Sequence, residues 1–181
     1  MATETLSATE VAALSGLDES RIRKEVEYGI LPRPSFTFAD LVYFAILGAL
    51  GVQLGVEDRR KLHAVVIGAM VAHAAAAMIS PVLEVRLDRV ANDVGGRLAR
   101  FEAWKKRRVV TEESVLGGEP TFPKTRLAVR HVGGMLLKGA SKEEVLDDYP
   151  SLKDEDIEFA PVYATAYPRM GRPRERQTAA R

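Results

Sequence analysis

Cysteine is missing from this chain of 181 residues. Its absence removes disulfides, thiolate metal sites and cysteine nucleophiles together. Histidine is scarce: His63, His73 and His131 are the full set of 3, and none stands at metal-ligand spacing from a second histidine or a carboxylate. In expected helices, His63 and His131 read as partly buried polar residues. Long apolar runs are missing too. The richest stretches, around 41–54 and 64–79, are too short or too interrupted to predict a membrane span. The N-terminus lacks a basic region followed by an apolar run, so no secretory signal is expected. Neither charge is in excess, with 26 Lys+Arg against 25 Asp+Glu, so the average names no partner and local distribution has to. Gly117-Gly118 and Gly133-Gly134 lack the strand-to-helix setting of a phosphate loop, and no nucleophile–base pair is recognisable. The expectation is a soluble cytoplasmic protein that is not an enzyme, with no cofactor, no metal and no membrane partner.

What the chain does have is legible punctuation, most of all over residues 116–167. Gly117-Gly118 and Pro120 open a turn, and the segment to Arg126 is too broken for a helix. From Leu127 the apolar residues fall at helical spacing (Leu127, Val132, Met135, Leu136), and Gly139 supplies the left-handed residue that ends the run. Ser141 with Glu144 makes a capping box, predicting a second helix that carries Val145 and Leu146 inward. Tyr149-Pro150 stops it, because a residue before proline is pushed out of helical geometry. Ser151 and Asp154 restart a third helix with Ile157, Phe159 and Val162 as its apolar positions, and Pro161 is expected to bend or shorten it. Three short helices with capped turns make a helix-turn-helix module. Asp154, Glu155 and Asp156 look like an acidic cluster beside Asp147-Asp148. They sit in a first helical turn, where carboxylates complement the helix dipole without doing chemistry.

The ordered series Gly117-Gly118-Glu119-Pro120, Thr125-Arg126-Leu127-Ala128-Val129, Gly139-Ala140-Ser141, Glu143-Glu144, Tyr149-Pro150-Ser151-Leu152 and Glu155-Asp156-Ile157 resembles a known bacterial family. It is similar to the antitoxin domain catalogued as domain of unknown function 433, found in VapB-type antitoxins of type II toxin–antitoxin pairs. One residue departs from the pattern: the family usually has glycine before Thr-Arg, where this chain has Lys124, and lysine tolerates a positive φ poorly. The resemblance implies a partner toxin of the VapC kind, a PIN-like, metal-dependent ribonuclease with a cluster of acidic residues.

Toward the N-terminus, Ser7 and Glu10 form another capping box, followed by a short helix with Val11 and Leu14 on its apolar face. Ser15-Gly16-Leu17 is a tight turn, and Asp18 is placed to cap a second helix. That helix buries Ile22 and Val26 and points Ser20, Arg21, Arg23 and Lys24 outward, until Gly29 closes it. Ser35 to Phe38 reads as a short wing strand before a long helix over 40–54. The residues Glu10-Val11-Ala12, Ser15-Gly16, Arg21-Ile22-Arg23 and Gly29-Ile30-Leu31-Pro32 resemble the winged helix-turn-helix of MerR-type regulators. A helix offering Ser20, Arg21, Arg23 and Lys24 beside a tight turn suits the major groove, with cations on phosphates and Arg or Ser on base edges. The same residues also fit a solvated helix face, or a module that contacts only other proteins.

Between these modules, Gly55 ends one helix and Glu57-Asp58 start another to about Ile67. The Ala-rich segment 69–79 fits either a helix or a small-residue packing surface, and 82–87 alternates like a short strand. Leu87, Val90, Val94, Leu98, Phe101 and Trp104 then recur at steps of three or four, on one helical stripe. The stripe serves as core or as a dimer seam, and Gly95-Gly96 offers a place for it to break. The basic run Lys105-Lys106-Arg107-Arg108 reads as a solvated linker that would help either kind of partner.

The expected fold is mainly α: a MerR-like winged module over 1–54, a central dimerisation region over 55–113, the antitoxin-like helix-turn-helix domain over 114–167, and a basic tail over 168–181. That tail carries Arg169, Arg172, Arg174 and Arg176 with only Glu175 against them. The antitoxin resemblance makes these arginines the candidates to enter a toxin's acidic site, pair with its carboxylates and displace its metal. The expected partners are operator DNA, a PIN-like ribonuclease toxin and a second copy of the chain. A stand-alone regulator without a toxin and a protein adaptor are the competing readings.

Overall fold

Capping boxes decide where the first helices begin. Ser7 Oγ accepts from the Glu10 N–H at 3.2 Å while Glu10 Oε2 accepts from the Ser7 N–H at 2.8 Å, and α1 (Ala8–Ser15) follows. Gly16, at φ 75°, ends it by donating to the Ala12 carbonyl at 2.9 Å. Asp18 occupies the N-cap position of α2 (Glu19–Glu27) with extended backbone, although its side chain makes no capping bond. The computed structural model describes residues 5–32, 35–81 and 83–169.

The expected wing is reduced to a single antiparallel bridge between Leu6 and Phe36. Strand geometry cannot continue, because Thr37 and Asp40 form a further capping box and start α3 (Phe38–Ala49) at Phe38 itself. The helix also ends short of Leu54, and Gly51 takes up a φ of 63° in the connection that follows. Next, α4 (Val56–Val71) absorbs the start of the Ala-rich segment. A turn over residues 72–76 follows, and the end of the segment becomes β1 (Ala77–Ser80), paired antiparallel with β2 (Leu83–Val85).

The long stripe is one helix, α5 (Leu87–Arg108), 22 residues without a break at Gly95-Gly96. Gly95 faces the Phe38 ring, where an added Cβ would lie 3.3 Å from Cζ, so the glycine admits a close neighbour rather than a hinge. Leu87, Val94, Phe101 and Trp104 are buried and Val90 and Leu98 half-buried by the chain's own residues, which makes the stripe core rather than an open seam. Phe101, Trp104 and Phe159 gather with ring centroids 5.8–5.9 Å apart.

Residues 109–128 form an irregular connection stitched by the bridges Val110↔Thr121 and Thr121↔Ala128. The last three helices are α6 (Val129–Leu137), α7 (Lys142–Asp148) and α8 (Asp154–Ala166). Ser141 and Glu144 start α7 reciprocally, as their spacing predicts. Pro161 does not shorten α8, because the residues beyond it (Val162, Tyr163, Ala166) are buried, which outweighs the roughly 3 kcal/mol cost of an interior proline. Gly133 lets α6 touch α8: an added Cβ would sit 2.2 Å from the Ala160 carbonyl oxygen. The first and last thirds share one core, since α1 packs on α8 as well as on α2 and α3, and Arg97 of α5 donates to the Leu14 carbonyl at 3.1 Å. The protein is mainly α.

Candidate functional site

The residues singled out on α2 reach the surface. Ser20, Arg23 and Lys24 are exposed and Arg21 is half-buried. Ser20, Arg21 and Lys24 line an open cleft of about 280 Å³ with Tyr28, Gln53 and Arg59. Arg23 lies outside that lining and donates from Nε to Glu19 Oε1 at 2.7 Å, one helical turn back. The side chains of Arg21 and Lys24 make no hydrogen bond or ion pair among the described residues. The structure thus divides the predicted set into two uncommitted cations and one partly neutralised.

What holds this face in place is a residue that sequence reasoning missed. Glu25 is 1% exposed, with Arg59 Nε of α4 lying 2.9 Å from Oε1 and the Tyr43 hydroxyl of α3 donating to Oε2 at 3.0 Å. Arg59 also donates from Nη1 to the Leu54 carbonyl at 2.6 Å and stacks over the Tyr28 ring at 5.5 Å. A buried carboxylate is costly unless it is paired and hydrogen-bonded, so α2 is keyed in one orientation to α3 and α4. Burial, and after it the Glu25 carboxylate, pushes the Tyr43 hydroxyl well above its ordinary range. A signal was present: Glu25 stands three residues after the core residue Ile22, on the same side of the helix.

A second tie joins the same helices, with His63 Nε2 lying 2.9 Å from Asp40 Oδ1. Burial raises the Asp40 carboxyl, but bonds from His63 and Thr37 outweigh it and hold the group below its usual value. His63 is half-buried as expected, whereas His131 is exposed on α6.

At the other end of the chain, Arg169 is on the surface and donates from Nε to Glu119 Oε2 at 3.3 Å. Arg130 holds the other oxygen of Glu119 at 2.9 Å and donates to the Tyr167 carbonyl at 2.5 Å. Arg172, Arg174 and Arg176 lie outside the described residues. The Tyr167 hydroxyl donates to Glu10 Oε1 at 2.7 Å and accepts from Lys105 Nζ at 2.9 Å, which ties α1 to the base of the tail. Burial, aided by Glu10 and opposed by Lys105, leaves that hydroxyl pushed up to about 12.

The basic run at the end of α5 is not a free linker. Lys105 donates to Glu102 at 2.7 Å, Arg107 to Glu155 at 2.9 Å and Arg108 to Asp156 at 2.6 Å. Glu155 and Asp156 in the first turn of α8 are thus the counter-charges of Arg107 and Arg108, while Asp154 lies 3.3 Å from Lys142 of α7. The surface of α7 remains acidic, with Glu143, Glu144, Asp147 and Asp148 all exposed. Among the described residues no group of His, Asp and Glu is placed to hold a metal ion, and no helix is long and apolar enough to cross a membrane.

Comparison with known proteins finds similarity over less than half of the chain in each case. It is 41% identical over 69 residues to the uncharacterized protein y4eO of Sinorhizobium fredii (strain NBRC 101917 / NGR234). The alignment takes in 38% of this chain and spans 31% of the length of that curated relative. No solved structure matches. Residues 109–164, from the irregular connection after α5 nearly to the end of α8, match the family model described as Protein of unknown function (DUF433).

Proposed function

We propose that the chain is the antitoxin of a type II toxin–antitoxin pair, binding operator DNA and neutralising a PIN-like ribonuclease of the VapC kind. The observation that carries the DNA half is α2. Its inner side is keyed by Glu25 while Ser20, Arg21 and Lys24 stand on an open cleft with both cations uncommitted. In this reading residues 1–54 form a MerR-like module, and a homodimer places two such helices on two half-sites. The toxin half rests on the family match over residues 109–164 and the resemblance of that segment to VapB-type antitoxins. The arginines of the tail, Arg169, Arg172, Arg174 and Arg176, then enter the toxin's acidic site, where a guanidinium pairs bidentately with carboxylates.

The test is to purify the chain with the product of the neighbouring reading frame and measure both binding and RNA cleavage. Removing residues 168–181 is expected to weaken inhibition more than binding, because the guanidinium that blocks the acidic site is lost while the docking surface of residues 116–167 remains. Full inhibition by the truncated chain at saturation would move the inhibitory contact to the globular part. Absence of binding by either form would sink the antitoxin reading.

A stand-alone MerR-like transcription regulator is the second reading, and one observation favours it. Because α1 lies on α8, the C-terminal helices serve to brace the DNA module whether or not a toxin exists. The acidic surface of α7 argues against the version in which both helix-turn-helix modules contact DNA.

A further inference from the structure

We propose that the cleft between residues 110–115 and the turn at 122–126 captures an extended, acidic segment of a partner protein, seating an apolar side chain on its floor. The cleft encloses about 310 Å³. Val110, Val115 and Phe122 supply its apolar lining, while Lys124, Arg126 and Glu112 supply its charged lining. The site lies inside the family-matched segment, and α2 contributes nothing to it.

The turn is built rather than loose. Thr125 donates to the Phe122 carbonyl from its N–H at 3.2 Å and from its hydroxyl at 3.0 Å, and that hydroxyl accepts from the Leu127 N–H at 3.1 Å. Phe122 is 1% exposed and lies under the Arg108 guanidinium at 5.8 Å. On this frame Lys124 is held at φ 61°, a left-handed conformation that a residue with a β-carbon adopts at a cost. Backbone strain of this kind persists where surrounding structure enforces it, and it concentrates at ligand clamps and switches.

Charge identifies the occupant. Lys124 and Arg126 are both exposed, and neither makes a hydrogen bond or ion pair among the described residues. The neighbouring cations Arg107, Arg108 and Arg130 are all engaged by carboxylates. Two free cations beside an apolar floor fit an Asp or Glu flanking a Leu- or Phe-sized side chain. A nucleic-acid backbone fits poorly, since a run of phosphates brings no apolar side chain to seat against Val110, Val115 and Phe122. Capture does not require the partner to be a ribonuclease; under the antitoxin reading, the segment belongs to the toxin.

The experiment uses the full chain and an array of short synthetic peptides in which one Leu or Phe is flanked by Asp or Glu, each beside its Asn/Gln counterpart. The best binder is then titrated by fluorescence anisotropy against wild type, Lys124→Gly and Arg126→Ala, with a short DNA duplex as competitor. Lys124→Gly removes the cation while relieving the strained backbone, so weaker binding by that variant cannot be blamed on unfolding. The expected result is about tenfold weaker binding of the Asn/Gln peptides and a loss of similar size for each variant, with the duplex failing to compete. Equal binding of acidic and amide peptides, no binding at all, or affinities unchanged in both variants would overturn the proposal. Displacement by the duplex would reassign the cleft to nucleic acid and overturn it equally. Peptide capture by a chain that inhibits no ribonuclease would leave the cleft standing and remove only the antitoxin reading.

Discussion

The Trp104 indole donates to Asp156 Oδ1 at 2.8 Å, and Asp156 is 0% exposed. Arg108 adds bonds to both carboxylate oxygens at 2.9 and 2.6 Å, and the Lys153 N–H donates to Oδ2 at 2.8 Å. The last turn of α5 is thereby clamped to the first turn of α8. Burial raises the Asp156 carboxyl, but the bonds from Arg108, Trp104 and Lys153 outweigh it and hold it below its ordinary 3.8. A carboxyl depressed in the folded state stabilises the fold above its unfolded value and loses that contribution as pH falls through the folded value. Stability carried by this clamp is therefore complete above about pH 3.8 and declines below it. Asp156→Asn is expected to remove about 3 kcal/mol at neutral pH and to flatten the acid limb. Urea unfolding followed by fluorescence checks both, because Trp104 is the only tryptophan of the chain. An unchanged acid limb would mean that the clamp does not carry the acid sensitivity.

Adjacent glycines of α6 should respond in opposite directions. An added Cβ at Gly133 would meet the Ala160 carbonyl oxygen at 2.2 Å and the Ala164 methyl at 2.7 Å, whereas no atom lies within 4 Å of one at Gly134. Gly133→Ala should therefore cost about 1–3 kcal/mol or more by forcing α6 from α8. Gly134→Ala should gain up to about 1 kcal/mol from helix propensity. Thermal unfolding of the two variants decides, and equal shifts would contradict the close approach.

Lys124→Gly should raise stability by about 0.5–1 kcal/mol, the relief of a left-handed β-carbon less the extra chain entropy of glycine. The position has φ 61° in the turn after Phe122. Denaturant midpoints measure it, and a loss of stability would show that the lysine stem contributes packing there.

On the DNA-facing reading of α2, the three cations are not equivalent. Arg21 and Lys24 are uncommitted, while Arg23 is engaged by Glu19. Replacing Arg21 or Lys24 with alanine should lower the salt dependence of operator binding by about 0.9 in log–log slope for each phosphate left unneutralised. Arg23→Ala should change it less. Titrations at several salt concentrations compare the variants. Slopes unchanged by Arg21→Ala and Lys24→Ala, with the fold intact, would move DNA binding elsewhere.

Sequence alone determined what short-range hydrogen bonding controls. The Ser7/Glu10 and Ser141/Glu144 boxes, the left-handed ends at Gly16 and Gly139 and the outward placement of Ser20, Arg23 and Lys24 all depend on residues within one or two turns. Even the missed start of α3 was written locally, in Thr37 and Asp40. Tertiary structure decided everything that needed a distant partner. Glu25 is buried because Arg59 and Tyr43 reach it from α4 and α3, and Arg108 is fixed because Asp156 comes to it across 48 positions of sequence. Gly95 packs instead of bending because the Phe38 ring lies against it. The stripe on α5 became core, not seam, because α1, α3 and α8 all close over it. Periodicity states which face of a helix will be covered; only packing of the whole chain selects what covers it.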